Sequence, residues 1–141
     1  MALKIAVAGF RHGHIYTIYQ LAKERSDIEI VAACEEDEAS RAAAVKTGLV
    51  TITHDNFEEM LTGTDCDVVA IGDYYGRRGW LAIQALTAGR HVLSDKPLCT
   101  RLEELDRIEE LARGKKLKVG CMFSLRGSPP FLTARRIIQE G

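Results

Sequence analysis

The sequence predicts an α/β protein with a doubly wound parallel sheet, strand order 3-2-1-4-5-6, flanked by helices. Short runs rich in β-branched residues alternate along the chain with longer stretches whose apolar residues recur at helical spacing. Parallel neighbours cannot be joined by hairpins, so this alternation implies crossover helices on both faces of one sheet. A chain of 141 residues, 46% of them hydrophobic, is long enough to bury one core.

Six apolar runs bounded by glycine or charge are the predicted strands: 5–8, 28–34, 49–53, 68–71, 92–93 and 119–123. Helical stripes lie between them and include Ile15, Ala39, Phe57, Leu81 and Leu102. Asp55 with Glu58, and Thr100 with Glu103, have the spacing of helix N-caps. Ser128 and Pro129 predict the start of a last helix.

Charge and cysteine usage exclude several classes of partner. The formal net charge is -1, so nothing marks a nucleic-acid surface or a polybasic membrane anchor. No apolar run reaches membrane-spanning length, and the first residues lack a secretion signal. The cysteines lie far apart without a C-x-x-C pair: Cys34, Cys66, Cys99 and Cys121. We therefore predict reduced thiols, a cytoplasmic location and small-molecule partners.

The stretch "KIAVAGFRHGHIYTIYQLAK" reads as strand, glycine, helix, the order of a nucleotide-binding turn. A dinucleotide fingerprint has the pattern G-x-G-x-x-G. Here Gly9 takes the first position, Arg11 the second and His14 the third, and the next glycine is Gly13. The turn is therefore irregular as a cofactor loop.

The unusual polar residues follow the ends of predicted strands, which meet at one edge of a parallel sheet. Glu35 ends the second strand, where a carboxylate accepts hydrogen bonds from an adenosine ribose and repels a 2′-phosphate. The alternative is that Glu35 simply begins a solvated loop. "GDYYGRR" and "SDKP" follow the strands at 68–71 and 92–93.

Four segments together resemble one known family: "KIAVAG…H", "VAACEEDEASRA", "DVVAIGDYYGRRGWLAIQALTAGRHVLSDKPL" and "VGCMFSLR". They are similar, in order and spacing, to the Rossmann-like N-terminal domain of the Gfo/Idh/MocA oxidoreductases. The most specific part, "ALTAGRHVLSDKPL", resembles the family's A-L-x-x-G-K-H-V-L-x-E-K-P-L. The resemblance implies an NAD(P)-dependent oxidoreductase acting on a sugar, cyclitol or related polyol.

The resemblance also implies a catalytic role for Lys96, the lysine of the E-K-P motif. Such a lysine orients the substrate hydroxyl and stabilises the developing alkoxide. Asp95 replaces the family's glutamate, and Pro97 is expected to follow a cis peptide bond. Without the resemblance, a lysine before a proline is common at the start of a loop.

The irregular turn is then interpreted as a variant anion site, in which Arg11 and the backbone at the helix start bind pyrophosphate. NAD is preferred over NADP because of Glu35. The predicted cofactor-binding residues are Gly9, Phe10, Arg11, His12, Gly13, His14, Glu35, Asp73, Tyr74, Asp95, Lys96 and Pro97.

Two further features leave alternatives open. His12 and His14 invite a metal, but no third ligand has convincing spacing, so no metal site is predicted. Asp73, Tyr74 and Arg78 stand where the family has the Thr, Pro and His of a T-P-N-x-x-H turn. Tyr74 and its neighbour Tyr75 either line the nicotinamide or sugar pocket or cover the loop, and Arg77 and Arg78 are predicted to be solvated.

Residues 1–127 are predicted to form the dinucleotide-binding domain, and residues 128–141 a connecting helix toward a substrate domain absent from this chain. Met122, Phe123 and Phe131 should then be exposed and favour a homo-oligomer. Without the substrate domain, this chain alone is expected to be inactive. The alternative function is a non-catalytic nucleotide-binding or regulatory module.

Overall fold

The structure is a computed structural model that describes residues 1–141, apart from the side chain of Ser124. The described residues form one parallel sheet in the order β2-β1-β3-β4-β5. Its strands are β1 (Leu3–Ala8), β2 (Ile28–Cys34), β3 (Val68–Ile71), β4 (His91–Ser94) and β5 (Val119–Cys121). The helices are α1 (His14–Lys23), α2 (Glu38–Lys46), α3 (Phe57–Gly63), α4 (Tyr75–Thr87), α5 (Leu102–Gly114) and α6 (Pro129–Glu140), with a 3₁₀ turn over Ser124–Gly127.

The predicted fold class is confirmed, but the strand predicted at 49–53 is wrong. This segment lies beside β2, where the third strand was expected, and the residue after it, His54, makes a single bridge with Cys34. The N–H groups of Thr53 and His54 both donate to the carbonyl oxygen of Ala33. The Thr53 hydroxyl also bonds the Ala33 backbone. The Thr53 side chain thus takes the place of some of the backbone hydrogen bonds that a strand would make. The observed strand order is the predicted order without its third strand.

The two faces of β1 show why the sheet is wound on both sides. Ile5 and Val7 are buried with Ile15 and Tyr19 of α1, whereas Ala6 and Ala8 are buried in the opposite core layer. Alternate strand residues point to opposite faces, so a strand covered on both faces needs apolar residues throughout. The continuous run in β1 meets this need.

Two predicted helix starts are displaced. The N-cap of α3 is Asn56, whose side chain accepts the Glu59 N–H at 2.9 Å, rather than Asp55. Thr100 does not cap α5, because Arg101 lies at that position and makes no side-chain capping bond. At α6, Ser128 and Pro129 do stand at the predicted start.

The carboxyl-terminal segment is the least buried part of the fold. No residue of α6 is buried, and Phe123 and Phe131 are exposed as predicted, while Met122 is half-buried. Within the described residues, no helix is long and apolar enough to cross a membrane.

Candidate functional site

The turn after β1 approaches the turn after β3 so closely that Gly9 has to be a glycine. Its φ is +81°, and a Cβ atom built on it would lie 2.6 Å from the Cβ of Asp73. The strand order changes direction at β1, because β2 lies on one side of it and β3 on the other. In such sheets the ligand crevice opens at this place, beyond the carboxyl ends of the strands.

A glycine outside the turn takes over the packing role of the missing third fingerprint glycine. A Cβ atom on Gly72, just after β3, would lie 2.6 Å from the Cγ1 of Ile15 in α1. Gly13 has a φ of -63°, and a Cβ atom added there would meet nothing within 4 Å. Helix and sheet therefore approach closely through Gly72, which the sequence pattern does not single out.

Glu35 lies at the predicted strand end, but its carboxylate points into the protein. It is 1% exposed and accepts the Phe10 N–H at 2.6 Å and the Asp37 N–H at 3.0 Å. Arg11 Nε lies 3.3 Å from its Oε1 atom. Glu35 thus holds the turn after β1 to the end of β2.

Arg11 joins two carboxylates across the crevice. Its Nε atom also lies 3.2 Å from Asp73 Oδ1, and its guanidinium stands 5.2 Å from the ring centre of Tyr74. Partial burial works against the charged form, but Asp73 and Glu35 outweigh it and raise the pKa of Arg11. Burial also raises the pKa of Asp73, against the Tyr74 N–H and Arg11, which lower it.

Asp95 is the most heavily contacted carboxylate of the site. It is wholly buried, and its Oδ1 accepts the Lys96 N–H at 2.7 Å and lies 3.1 Å from His14 Nδ1. Its Oδ2 contacts His12 Nδ1. Burial opposes ionisation of Asp95, but the His14 and Lys96 contacts and the charge of Arg78 outweigh it and lower its pKa.

Arg78 is the residue that sequence reasoning placed wrongly. It is 0% exposed rather than solvated, and its Nε atom donates to the Asp73 carbonyl oxygen at 2.6 Å. Nη1 donates to the Lys96 carbonyl oxygen, and Nη2 lies 3.4 Å from Asp95 Oδ2. Burial lowers its pKa, although the neighbouring Asp95 raises it. The Arg78 guanidinium therefore joins the turns after β3 and β4. Nothing in the local sequence around Arg78 predicts this role.

The other predicted arginine is also engaged. Arg77 contacts Glu36 and lies 3.8 Å from Asp73 Oδ2, so it too is paired rather than solvated. Tyr74 and Tyr75 are about half exposed. The rings of Tyr74 and Tyr75 face Arg11 and Arg78 respectively, which fits both interpretations of the pair.

Lys96 follows β4 at the same edge, and the predicted cis bond between Lys96 and Pro97 is confirmed. Its side chain borders a hollow of about 470 Å³ that Met122, Phe123 and Phe131 also line. The turns after β1, β3 and β4 thus lie together, and Glu35 and Lys96 follow strands that run in the same direction.

The same contacts create a group with metal-ligand chemistry. The ligand atoms of His12, His14 and Asp95 all lie within 4.8 Å of one another. Asp95 is 81 residues from His14 in the chain, so no local spacing could reveal the third residue.

Comparison with known proteins agrees with the fold. Residues 3–123 match the Gfo/Idh/MocA family, described as an oxidoreductase family with an NAD-binding Rossmann fold. An uncharacterized oxidoreductase from Synechocystis is 27% identical over 99% of this chain and 37% of its own length. Inositol 2-dehydrogenase 3 from Saccharopolyspora erythraea is 34% identical over 74% of this chain and 32% of its own length.

A solved structure gives the same result in three dimensions. Scyllo-inositol dehydrogenase from Lactobacillus casei, solved with NAD(H) and scyllo-inositol, superposes with a TM-score of 0.80 at 25% identity. The match covers 100% of this chain and 42% of that one, so this chain spans less than half the length of these relatives. Fold and sequence agree: the chain belongs to the Gfo/Idh/MocA oxidoreductase family, within its NAD-binding Rossmann fold.

Proposed function

We propose that this domain binds NAD(H) at the carboxyl edge of the sheet and that Lys96 serves hydride transfer between nicotinamide and a sugar, cyclitol or related polyol. One observation carries the proposal. The Gly9 to His14 turn, Asp73 and the segment from Asp95 to Pro97 converge where the strand order changes direction. The relatives named inositol dehydrogenases support the substrate class.

The residues present fit the phosphates of a dinucleotide at the start of α1. The first turn of this helix contains no acidic side chain of its own, although the buried Asp95 contacts His12 and His14 beside it. Phe10, His12, Gly13 and His14 lie in or next to the turn that leads into it. In this proposal Gly9 admits the close approach of the backbone, and the side chains of the turn surround the pyrophosphate.

Lys96 is held from several sides before any substrate binds. Its N–H donates to Asp95, and its carbonyl oxygen accepts from Arg78, so the backbone on both sides of the side chain is fixed. When bound, NAD supplies the acceptor for the hydride. The Lys96 ammonium orients the substrate hydroxyl and stabilises negative charge on its oxygen. The hollow beside Lys96 provides the space for that substrate.

The selectivity for NAD follows from how Arg11 is engaged. A free arginine near Glu35 would accept the 2′-phosphate of NADP, but Arg11 is already bound to Glu35 and Asp73. The carboxylates of Glu35 and Asp73 lie behind Arg11, and their negative charges oppose a further anion in this part of the crevice. A 2′-phosphate would therefore find no free guanidinium to bind.

We also propose that residues 128–141 connect this domain to a substrate domain, since the relatives are more than twice as long and α6 buries none of its residues. The exposed Phe123 and Phe131 favour pairing with that domain or with a second copy of this chain. A cytoplasmic location is proposed from the cysteines, all four of which are free.

Calorimetric titration with NADH and NADPH tests the proposal. We expect NADH to bind at least about tenfold more tightly, and Glu35→Gln to narrow this ratio. Glu29→Gln, at an exposed position of β2, is the matched control and should leave it unchanged. Equal affinities would remove Glu35 as the selector. Undetectable binding of both nucleotides by folded protein would overturn the proposal in favour of a cofactor-free module.

A further inference from the structure

We propose that His12, His14 and Asp95 form a binding site for one divalent transition-metal ion of the zinc class. The site lies at the start of α1, and its three donors are two imidazole nitrogens and one carboxylate oxygen. Imidazole and carboxylate ligands suit zinc and its first-row neighbours. The inference depends on these side chains alone and not on nucleotide binding.

The donor atoms already lie near one another, all within 4.8 Å. Zinc binds imidazole nitrogen and carboxylate oxygen at about 2.0 to 2.2 Å, so two ligands of a tetrahedral ion stand about 3.4 Å apart. His14 Nδ1 and Asp95 Oδ1 are 3.1 Å apart. His12 Nδ1 is closer to Oδ2 and would move outward as the ion enters.

His12 carries a second, independent sign of a ligand. Its Nδ1 atom is buried and contacts Asp95 Oδ2, but it has no partner with hydrogen-bond geometry among the described residues. Buried polar atoms are almost always satisfied, so such an atom calls for a specific explanation. A metal ion between the imidazole and Asp95 satisfies both.

The surroundings hold Asp95 in the orientation that a ligand needs. The Lys96 N–H and Arg78 Nη2 contact its two oxygens from the protein side, as the outer-shell partners of metal ligands do. The positive charge of Arg78 opposes a cation here, so we expect weaker binding than at a four-ligand structural zinc site.

Three protein ligands leave at least one coordination position open. The His14 side chain is 44% exposed, so this position faces solvent at the mouth of the crevice. Water or an anionic oxygen of a bound molecule would complete the coordination there. A metal with such an open position polarises the oxygen it holds.

Titration of chelator-treated protein with zinc chloride, followed by calorimetry, tests the site. We expect one zinc ion per chain, with affinity reduced at least about tenfold in His14→Ala and in His12→Ala. His54→Gln is the matched control, because His54 bonds the Thr53 hydroxyl and lies outside the group. Unchanged affinity in both histidine variants, or no stoichiometric binding to the wild-type chain, would overturn the proposal.

Cobalt substitution identifies the ligands without relying on any one variant. The absorption of bound cobalt should show nitrogen and oxygen ligation, and a sulfur charge-transfer band would assign the ion to the free cysteines instead and overturn the site. Asp95→Asn should abolish the cobalt spectrum, but its burial makes it the variant most prone to misfold, so His14→Ala carries the test. NADH titrations of the chelator-treated protein without added metal separate this site from the proposed function, because zinc binding by a protein that binds no NADH in its metal-free form refutes only the latter.

Discussion

The two sides of the crevice hold a buried carboxylate in different ways. On the β2 side, Glu35 accepts two backbone N–H groups and one partly exposed arginine. On the β4 side, Asp95 accepts one backbone N–H and faces two imidazoles and a fully buried arginine. Backbone donors are fixed by the fold, whereas imidazole side chains can rotate away. The Glu35 side is therefore held mainly by the backbone, and the Asp95 side mainly by side chains.

The largest difference is expected between the two arginines. Arg78→Ala removes a fully buried guanidinium, leaves the Asp73 and Lys96 carbonyl oxygens without this donor and opens a cavity. We expect a loss of about 3 to 5 kcal/mol in the free energy of unfolding. Arg11→Ala should cost only about 1 to 2 kcal/mol, because the Arg11 side chain is 23% exposed and water replaces its contacts.

Urea unfolding of both variants measures these values, with Arg135→Ala on exposed α6 as the control. We expect a change below about 0.5 kcal/mol in that control. Equal losses for Arg78→Ala and Arg11→Ala would mean that the arginines on the two sides of the crevice contribute equally to the free energy of unfolding.

A smaller effect is expected from acid, and it concerns Asp95. Its pKa is lowered in the folded protein, so its ionised form stabilises the fold above its ordinary pKa of about 3.9. That contribution is lost as the pH falls through the lowered folded value. Asp95→Asn should therefore be less stable than wild type by about 1 to 3 kcal/mol near neutral pH, and the gap should shrink below about pH 4.

Urea unfolding over a pH series reports this gap directly. Replacement of the exposed Asp106 in α5 by Asn provides the control, and its gap should stay small at every pH. A gap for Asp95→Asn that is the same at low and neutral pH would show that the carboxylate charge does not stabilise the β4 side.

The smallest change is expected at Gly13, one of two glycines that lie where the two sides meet. Gly72→Ala would place a Cβ atom 2.6 Å from the Cγ1 of Ile15, and we expect a loss of about 1 to 3 kcal/mol. Gly13→Ala meets nothing within 4 Å, and its φ of -63° suits any residue. Its gain from a less flexible unfolded chain and its loss at a helix N-cap should leave a net change below about 0.5 kcal/mol.

Thermal unfolding of Gly72→Ala and Gly13→Ala measures which of the two glycines is needed for the close packing of α1 on the sheet. A Gly13 variant that is as unstable as the Gly72 variant would return the packing role to the glycine that the sequence pattern highlights.

The sequence alone was enough to predict the alternation of strands and helices, the turn at Gly9, the family and the cis bond before Pro97. These features depend on residues that are close together in the sequence. The spacing of apolar residues, a glycine required at one position and a motif such as S-D-K-P can each be recognised within a short stretch of chain. The apolar pattern at 49–53 led to a wrong strand prediction for the same reason. Such a pattern indicates an apolar surface, whereas the hydrogen bonds of a strand depend on how the segment pairs with its neighbour.

Only the tertiary structure decided which side chains meet at the crevice. Gly72 packs on Ile15, Arg78 is buried between two turns, and Asp95 reaches the two histidines of a turn about eighty residues earlier in the chain. Glu35 likewise turned inward to the Phe10 N–H instead of lying open at its strand end. Such contacts arise because parallel strands bring distant segments to one edge, and burial there leaves each polar group in need of a partner that no local pattern specifies.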